Sequence, residues 1–97
     1  MKPPLDATGR EISVGSKLMY CIDDVWSFGE VVELKERKRC YQEYIGVVVS
    51  KCSVNPYWSE IKAGKSELMF PQKAIIVENF LFLPNDFLKR LDEAREK

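Results

Sequence analysis

The chain contains no histidine. Without one there is no Ser-His-Asp triad, no Cys-His dyad and no histidine base, which closes the commonest routes to nucleophilic and acid–base catalysis. Adjacent carboxylates do not replace them. The pairs Asp23-Asp24 and Asp92-Glu93 are neighbours in sequence, and neighbours on a strand point to opposite faces. Cysteine is scarce as well: Cys21, Cys40 and Cys52, with no Cys-x-x-Cys spacing. A structural zinc site wants four ligands, so no metal is expected. The odd cysteine count, with no apolar stretch in the first residues, points to reduced thiols and a cytoplasmic setting. Long apolar runs are missing: the longest, such as residues 80–83 and 47–49, fall far short of a bilayer's thickness. No phosphate-cradling glycine loop is present, since Ala63-Gly64-Lys65-Ser66 ends like one but lacks the first glycine. Charge of one sign is also lacking, with 15 Lys and Arg against 15 Asp and Glu. A sequence-independent nucleic-acid binder draws most of its affinity from counterion release and carries a basic excess. No cofactor is implied, and enzyme is the least favoured class.

What is present describes a globular protein. Ninety-seven residues, 45% hydrophobic and 31% charged, make one domain able to build its own core. It divides into an extended lead-in (1–15), a β-rich body (16–83) and a C-terminal helix (84–97). The organising stretch is residues 28–50, where two runs of β-branched and aromatic residues flank a charged segment. That is a β-hairpin pattern with its tip at residues 35–39. Before it, Leu18, Tyr20 and Ile22 alternate with Met19 and Cys21, so both faces of that strand are apolar and both are expected to be covered. Asp23-Asp24 ends the strand, and Trp26 is placed in a loop over residues 23–27. The second strand is read with Phe28, Val32 and Leu34 on one face and Val31 on the other. Gly29 marks a bulge or a close backbone approach. The third strand puts Ile45, Val47 and Val49 inward. A fourth strand over residues 57–63 turns at 63–66 into residues 67–70, and a fifth covers 73–78.

After Pro84 the period changes. Phe87, Leu88, Leu91 and Ala94 follow helical spacing. Three turns are too short to persist alone, so the apolar stripe must dock on the sheet. Five short strands, a charged hairpin and a covering helix give a mainly β fold: a small, strongly bent barrel with a C-terminal helix.

Two segments carry a resemblance. Gly15-Ser16-Lys17-Leu18-Met19-Tyr20, followed by Phe28-Gly29-Glu30-Val31-Val32-Glu33-Leu34, resembles the opening of SH3-like barrels of the KOW and Tudor kind. The spacing Asp6-x-x-Gly9-x-x-Ile12-x-x-Gly15 is similar to the start of small phage-encoded proteins of the YopX type, although Ser16 stands where those have Asp. The resemblance implies a binding module whose loops meet the ligand at one rim. KOW-type barrels contact RNA or polymerase-associated proteins, Tudor-type barrels hold a methylated side chain in an aromatic cage, and phage barrels act as accessory proteins on host machinery.

Candidate site residues fall into two groups. Trp26, Tyr57 and Trp58 lie in or beside predicted loops, and Tyr41 lies at the hairpin's end; loop aromatics are frequent interface anchors, so a protein partner is the leading expectation. One tryptophan is expected in the core and the other partly exposed. Lys35, Arg37, Lys38 and Arg39, with Tyr44, form the alternative, a nucleic-acid surface of basic groups and rings. Glu33, Glu36 and Glu43 sit among those charges and dilute them. Residues 80–83 are four large apolars in a row, and on a strand two would face out. The helix or a second copy of the chain must cover them.

Overall fold

Two tight turns set the plan of the sheet. The first joins β1 (Lys17–Ile22) to β2 (Val25–Arg39), the second joins β2 to β3 (Gln42–Val54). Asp23 and Asp24 have φ of 52° and 65°, Cys40 and Tyr41 have φ of 49° and 67°. Two successive left-handed residues are the type I′ geometry whose twist matches a hairpin. The structure, a computed structural model, describes residues 2–54 and 61–96, without the side chains of 61 and 94–96. Within it β4 (Ile61–Leu68), a single 3₁₀ turn (Pro71–Lys73), β5 (Ile75–Val77) and α1 (Asn85–Glu96) follow. The described residues form one antiparallel sheet in the order β4-β3-β2-β1-β5. It is mainly β with one helix, as expected, but the sheet is open: β4 and β5 are its edges and do not pair with each other.

The turns correct two expectations. Residues 23–27 are not a loop, because Ile22 pairs directly with Val25 and Trp26 already lies in β2. Residues 35–39 are not the hairpin tip, since Lys35 to Arg39 pair in register with Gly46 to Gln42. Their charges are solvated on both faces of a two-stranded ribbon, which costs a strand little. A bulge also falls at Val32: Val31 pairs with Val49, and Glu33 with Val48. Phe28 and Val31 lie on opposite faces as predicted, but the extra residue moves Leu34 from the predicted face of Phe28 onto that of Val31. Gly29 is the close approach. A Cβ there would lie 2.5 Å from Val49 Cγ1 and 2.6 Å from the Ser50 carbonyl. The expected break at residues 63–66 is absent as well; β4 runs through Gly64, held by eight consecutive pairings with β3.

Each face of the sheet carries a core. On one, Leu18, Tyr20, Val31, Val47, Val49 and Leu68 pack with Ile12 and Ala74. On the other, Phe28 and Cys52 pack with Phe80 and Leu91, joined by Met19, Val77, Phe87 and Leu88. The helix thus docks through the predicted stripe. The Pro84 carbonyl accepts from the Phe87 and Leu88 amides, so the first turn of the helix closes on it. Ala94 lies outside the described side chains.

The lead-in segment is held by Asp6. Its buried carboxylate accepts through Oδ1 from the Thr8 amide (2.9 Å), the Thr8 hydroxyl (2.7 Å) and the Arg10 amide (2.9 Å), and through Oδ2 from the Ile76 amide (2.9 Å). Burial alone would raise its pKa, but the bonds from Ile76, Thr8 and Arg10 outweigh it and lower the value from 3.8 to about 2. A carboxyl whose folded pKa is depressed stabilises fully above its unfolded value and loses that stabilisation as pH falls through about 2. Asp6→Asn sets an amide donor against at least one of these N–H groups. It should cost about 3 kcal/mol at neutral pH, the loss expected for hydrogen bonds to a charged group. The fall in melting temperature between neutral and acid pH should be shallower in the variant, measured by circular dichroism. Equal melting of both proteins across that range would show that the carboxylate's charge does not matter.

Candidate functional site

Of the expected partner-binding residues that the structure describes, Trp26 is the one that sits in an aromatic group. It lies on the helix-covered face, and β2's alternation puts it two residues from Phe28. Their rings stack with centroids 6.4 Å apart and planes at 14°. Phe28 also meets Phe82 edge-on at 6.4 Å, Phe80 at 6.4 Å and Phe87 at 5.7 Å. Phe80 and Phe82 touch at 6.3 Å. These are the offset and T-shaped geometries that aromatic quadrupoles favour. The stretch 80–83 is a turn rather than a strand, which resolves its packing: Phe80 goes inward while Leu81 and Phe82 stay out. Trp26 is 45% exposed, Phe82 59% and Leu81 81%. Trp26 and residues 80–83, candidates far apart in the chain, meet through their common neighbour Phe28.

Tyr41 does not belong to this surface. It sits in the second turn, 95% exposed, thirteen residues of strand beyond Trp26, roughly 40 Å at the usual strand rise. Tyr57 and Trp58 lie outside the described residues.

The basic group is divided by the pleat. Lys35, Arg37 and Arg39 share one face with Tyr44, whereas Lys38 lies on the other, directly across from Glu43. Arg37 Nη2 donates to Glu67 Oε2 at 3.0 Å, and Lys35 Nζ lies 3.6 Å from Glu33. Gly46 makes room for the first pair, since a Cβ there would meet Glu67 and Arg37. Two of the four charges expected to meet phosphates, Lys35 and Arg37, are therefore engaged with carboxylates of the same sheet.

The remaining perturbed groups lie elsewhere. Burial raises Tyr20 to about 12, opposed by a bond with Ser27. Burial also lowers Lys51, whose ammonium stands 6.0 Å over the Tyr20 ring. Cys52 is pushed up to about 11 by burial, with Arg90 and Glu93 acting in opposite senses. Among the described residues no cluster of three or more His, Cys, Asp or Glu could hold a metal, and no helix is long and apolar enough to cross a membrane. No family model matches the chain, and neither a curated protein nor a solved structure shows significant similarity to it.

Two tests follow from this geometry. Cys21 and Cys40 are exposed and Cys52 is buried; all three are free thiols. A thiol reagent at neutral pH should label two sites at once and the third on unfolding, located by peptide mass spectrometry; prompt labelling of Cys52 would place it wrongly. The turn at Cys40-Tyr41 is strained, because side chains with a Cβ resist the left-handed region. Replacing it by Asn-Gly should raise stability by about 1–2 kcal/mol in denaturant titration. A loss of stability would mean the turn is held by contacts other than its own backbone.

Proposed function

We propose that the chain is a non-enzymatic binding module that docks a protein partner on the surface of Trp26, Leu81 and Phe82. The observation that carries this reading is the joint exposure of three large apolar side chains, two of them anchored on the buried ring of Phe28. Rings already held by stacking lose little freedom on binding, and tryptophan and its aromatic neighbours are the residues on which interface energy concentrates. A partner offering an apolar patch of its own would bury them. The free thiols at Cys21 and Cys40 support a reducing, cytoplasmic setting for the encounter. Five antiparallel strands in meander order, with β5 returning to β1, support the finer reading of the open sheet as a variant of the SH3-like barrel. An accessory role of the phage kind fits such a module.

Nucleic acid is the weaker reading, because Arg37 and Lys35 are engaged by Glu67 and Glu33. The two separate in one experiment. Partners are captured from the native host at moderate salt, with and without nuclease, and affinities are then measured for variants. Trp26→Ala or Phe82→Ala should weaken the nuclease-resistant partner by roughly 2 kcal/mol, about thirtyfold. Replacing Lys35, Arg37, Lys38 and Arg39 together by Gln should change mainly the on-rate. Sub-micromolar binding of an arbitrary duplex or single strand at physiological salt, abolished by the Gln variant, would overturn the proposal.

A further inference from the structure

The β2–β3 hairpin outruns its neighbours. Pairing between β3 and β4 begins at Val54 with Ile61 and ends at Val47 with Leu68. Beyond that point the chain bends away through Met69 into the 3₁₀ turn. Residues 42–46 of β3 are therefore paired to β2 on one side and, among the described residues, to no strand on the other. In a hairpin closed by a two-residue turn, the flanking pair (here Arg39 and Gln42) bonds inward. Alternation then turns the amide and carbonyl of Glu43 and Ile45 outward, toward the empty side.

That side is grooved. A cleft of about 600 Å³ is lined by Arg39, Tyr44, Ile45, Leu68, Met69 and Pro71, among others. A second, of about 570 Å³, shares Tyr44, Ile45, Met69 and Pro71 and reaches Leu5 and Lys2. Met69 is 70% exposed, and Tyr44 and Leu5 are also exposed. Tyr44 and Ile45, which alternate between the two faces of β3, line both clefts; Gln42 adds to the first and Glu43 to the second. A strand added here would lie along both clefts, with apolar lining from Tyr44, Ile45, Met69 and Pro71 within reach of its side chains.

We propose that this free edge takes an extended peptide segment of a partner protein by strand addition, with apolar residues in the clefts and carboxylates at its ends. Charge selects the ends. Glu67 is bound by Arg37 at 3.0 Å, and Glu43 faces Lys38 across the ribbon. Arg39 borders the first cleft and Lys2 the second, and neither has an ion-pair partner among the described residues. Among the described residues Glu43 is thus the one open carboxylate at the edge, set against Lys38, Arg39 and Lys2, so the balance beside it is cationic and an acidic-ended segment complements it. Main-chain bonds to Glu43 and Ile45 supply register, and the clefts supply selectivity. This site is separate from the Trp26 surface and does not depend on it.

The test uses the full chain and a fluorescent synthetic peptide of alternating valine and threonine with glutamate at both ends. Anisotropy should report saturable binding, and amide exchange by NMR should slow at Glu43 and Ile45. Arg39→Glu should weaken binding by about tenfold or more, as reversal of a charge contact does. A lysine-ended peptide and a peptide interrupted by proline should not bind. Glu43→Pro removes an outward donor at an edge, where proline is tolerated, and should abolish binding with the melting transition retained. Trp26→Ala should leave it unchanged. Unaltered exchange at Glu43 and Ile45, or equal binding of the proline-interrupted peptide, overturns the proposal. So does a dimer in sedimentation that protects those amides without peptide, which would assign the edge to a second copy.

Discussion

The ring of Phe28 is the contact on which the arrangement of this protein depends. It stands on the middle strand, between Met19 of β1 and Cys52 of β3, and meets four other rings. The helix has twelve residues, too few to be stable in water by itself. What orders it is the apolar floor formed by Phe28, Cys52 and Phe80, onto which Phe87, Leu88 and Leu91 settle. The same ring fixes the turn before the helix, through Phe80 and Phe82, and the plane of Trp26. An exposed aromatic surface is rigid here because its members are attached to a buried one.

The opposite face is built without a helix. Ile12 from the lead-in and Ala74 beside the 3₁₀ turn close over Leu18, Val31, Val47 and Val49. Asp6 makes this cover possible, since its carboxylate gathers the loop from Thr8 to Arg10 and fastens it to Ile76. The sheet therefore has two dissimilar coats: one of rings and a helix, the other of aliphatic side chains and a hydrogen-bonded loop.

Much of this was legible in the order of residues. Alternation at Leu18, Met19 and Tyr20 announced a strand covered on both sides, and the spacing of Phe87, Leu88 and Leu91 announced a docked helix. Features missed were those in which a local signal was silent or misleading. The Cys40-Tyr41 turn has none of the Gly, Asn or Asp that mark a hairpin tip, whereas five charged residues before it imitate one. The bulge at Val32 carries no mark, because any β-branched residue fits it. Gly64 signals a turn but is overruled by eight cross-strand pairings. Of the site, Trp26 was legible as a candidate anchor but not as the exposed tryptophan, and its grouping with Phe82 required the fold, as fifty-odd residues separate them in the chain. The split of the basic group between two faces was hidden by the misplaced tip.

The bond from the Ile76 amide to Asp6 spans 70 residues. Its length along the chain has a bearing on the order in which the protein assembles. From β1 through β4 each strand pairs with the next one in sequence, so this part can zip hairpin by hairpin from local encounters. β5 instead returns to β1 across the whole meander, and the entropy of closing so long a loop must be met before any contact rewards it. The seam between the lead-in and β5 is thus the late, cooperative step of folding. By microscopic reversibility it is also the first to part, leaving a smaller three-hairpin sheet with its aliphatic face open to water.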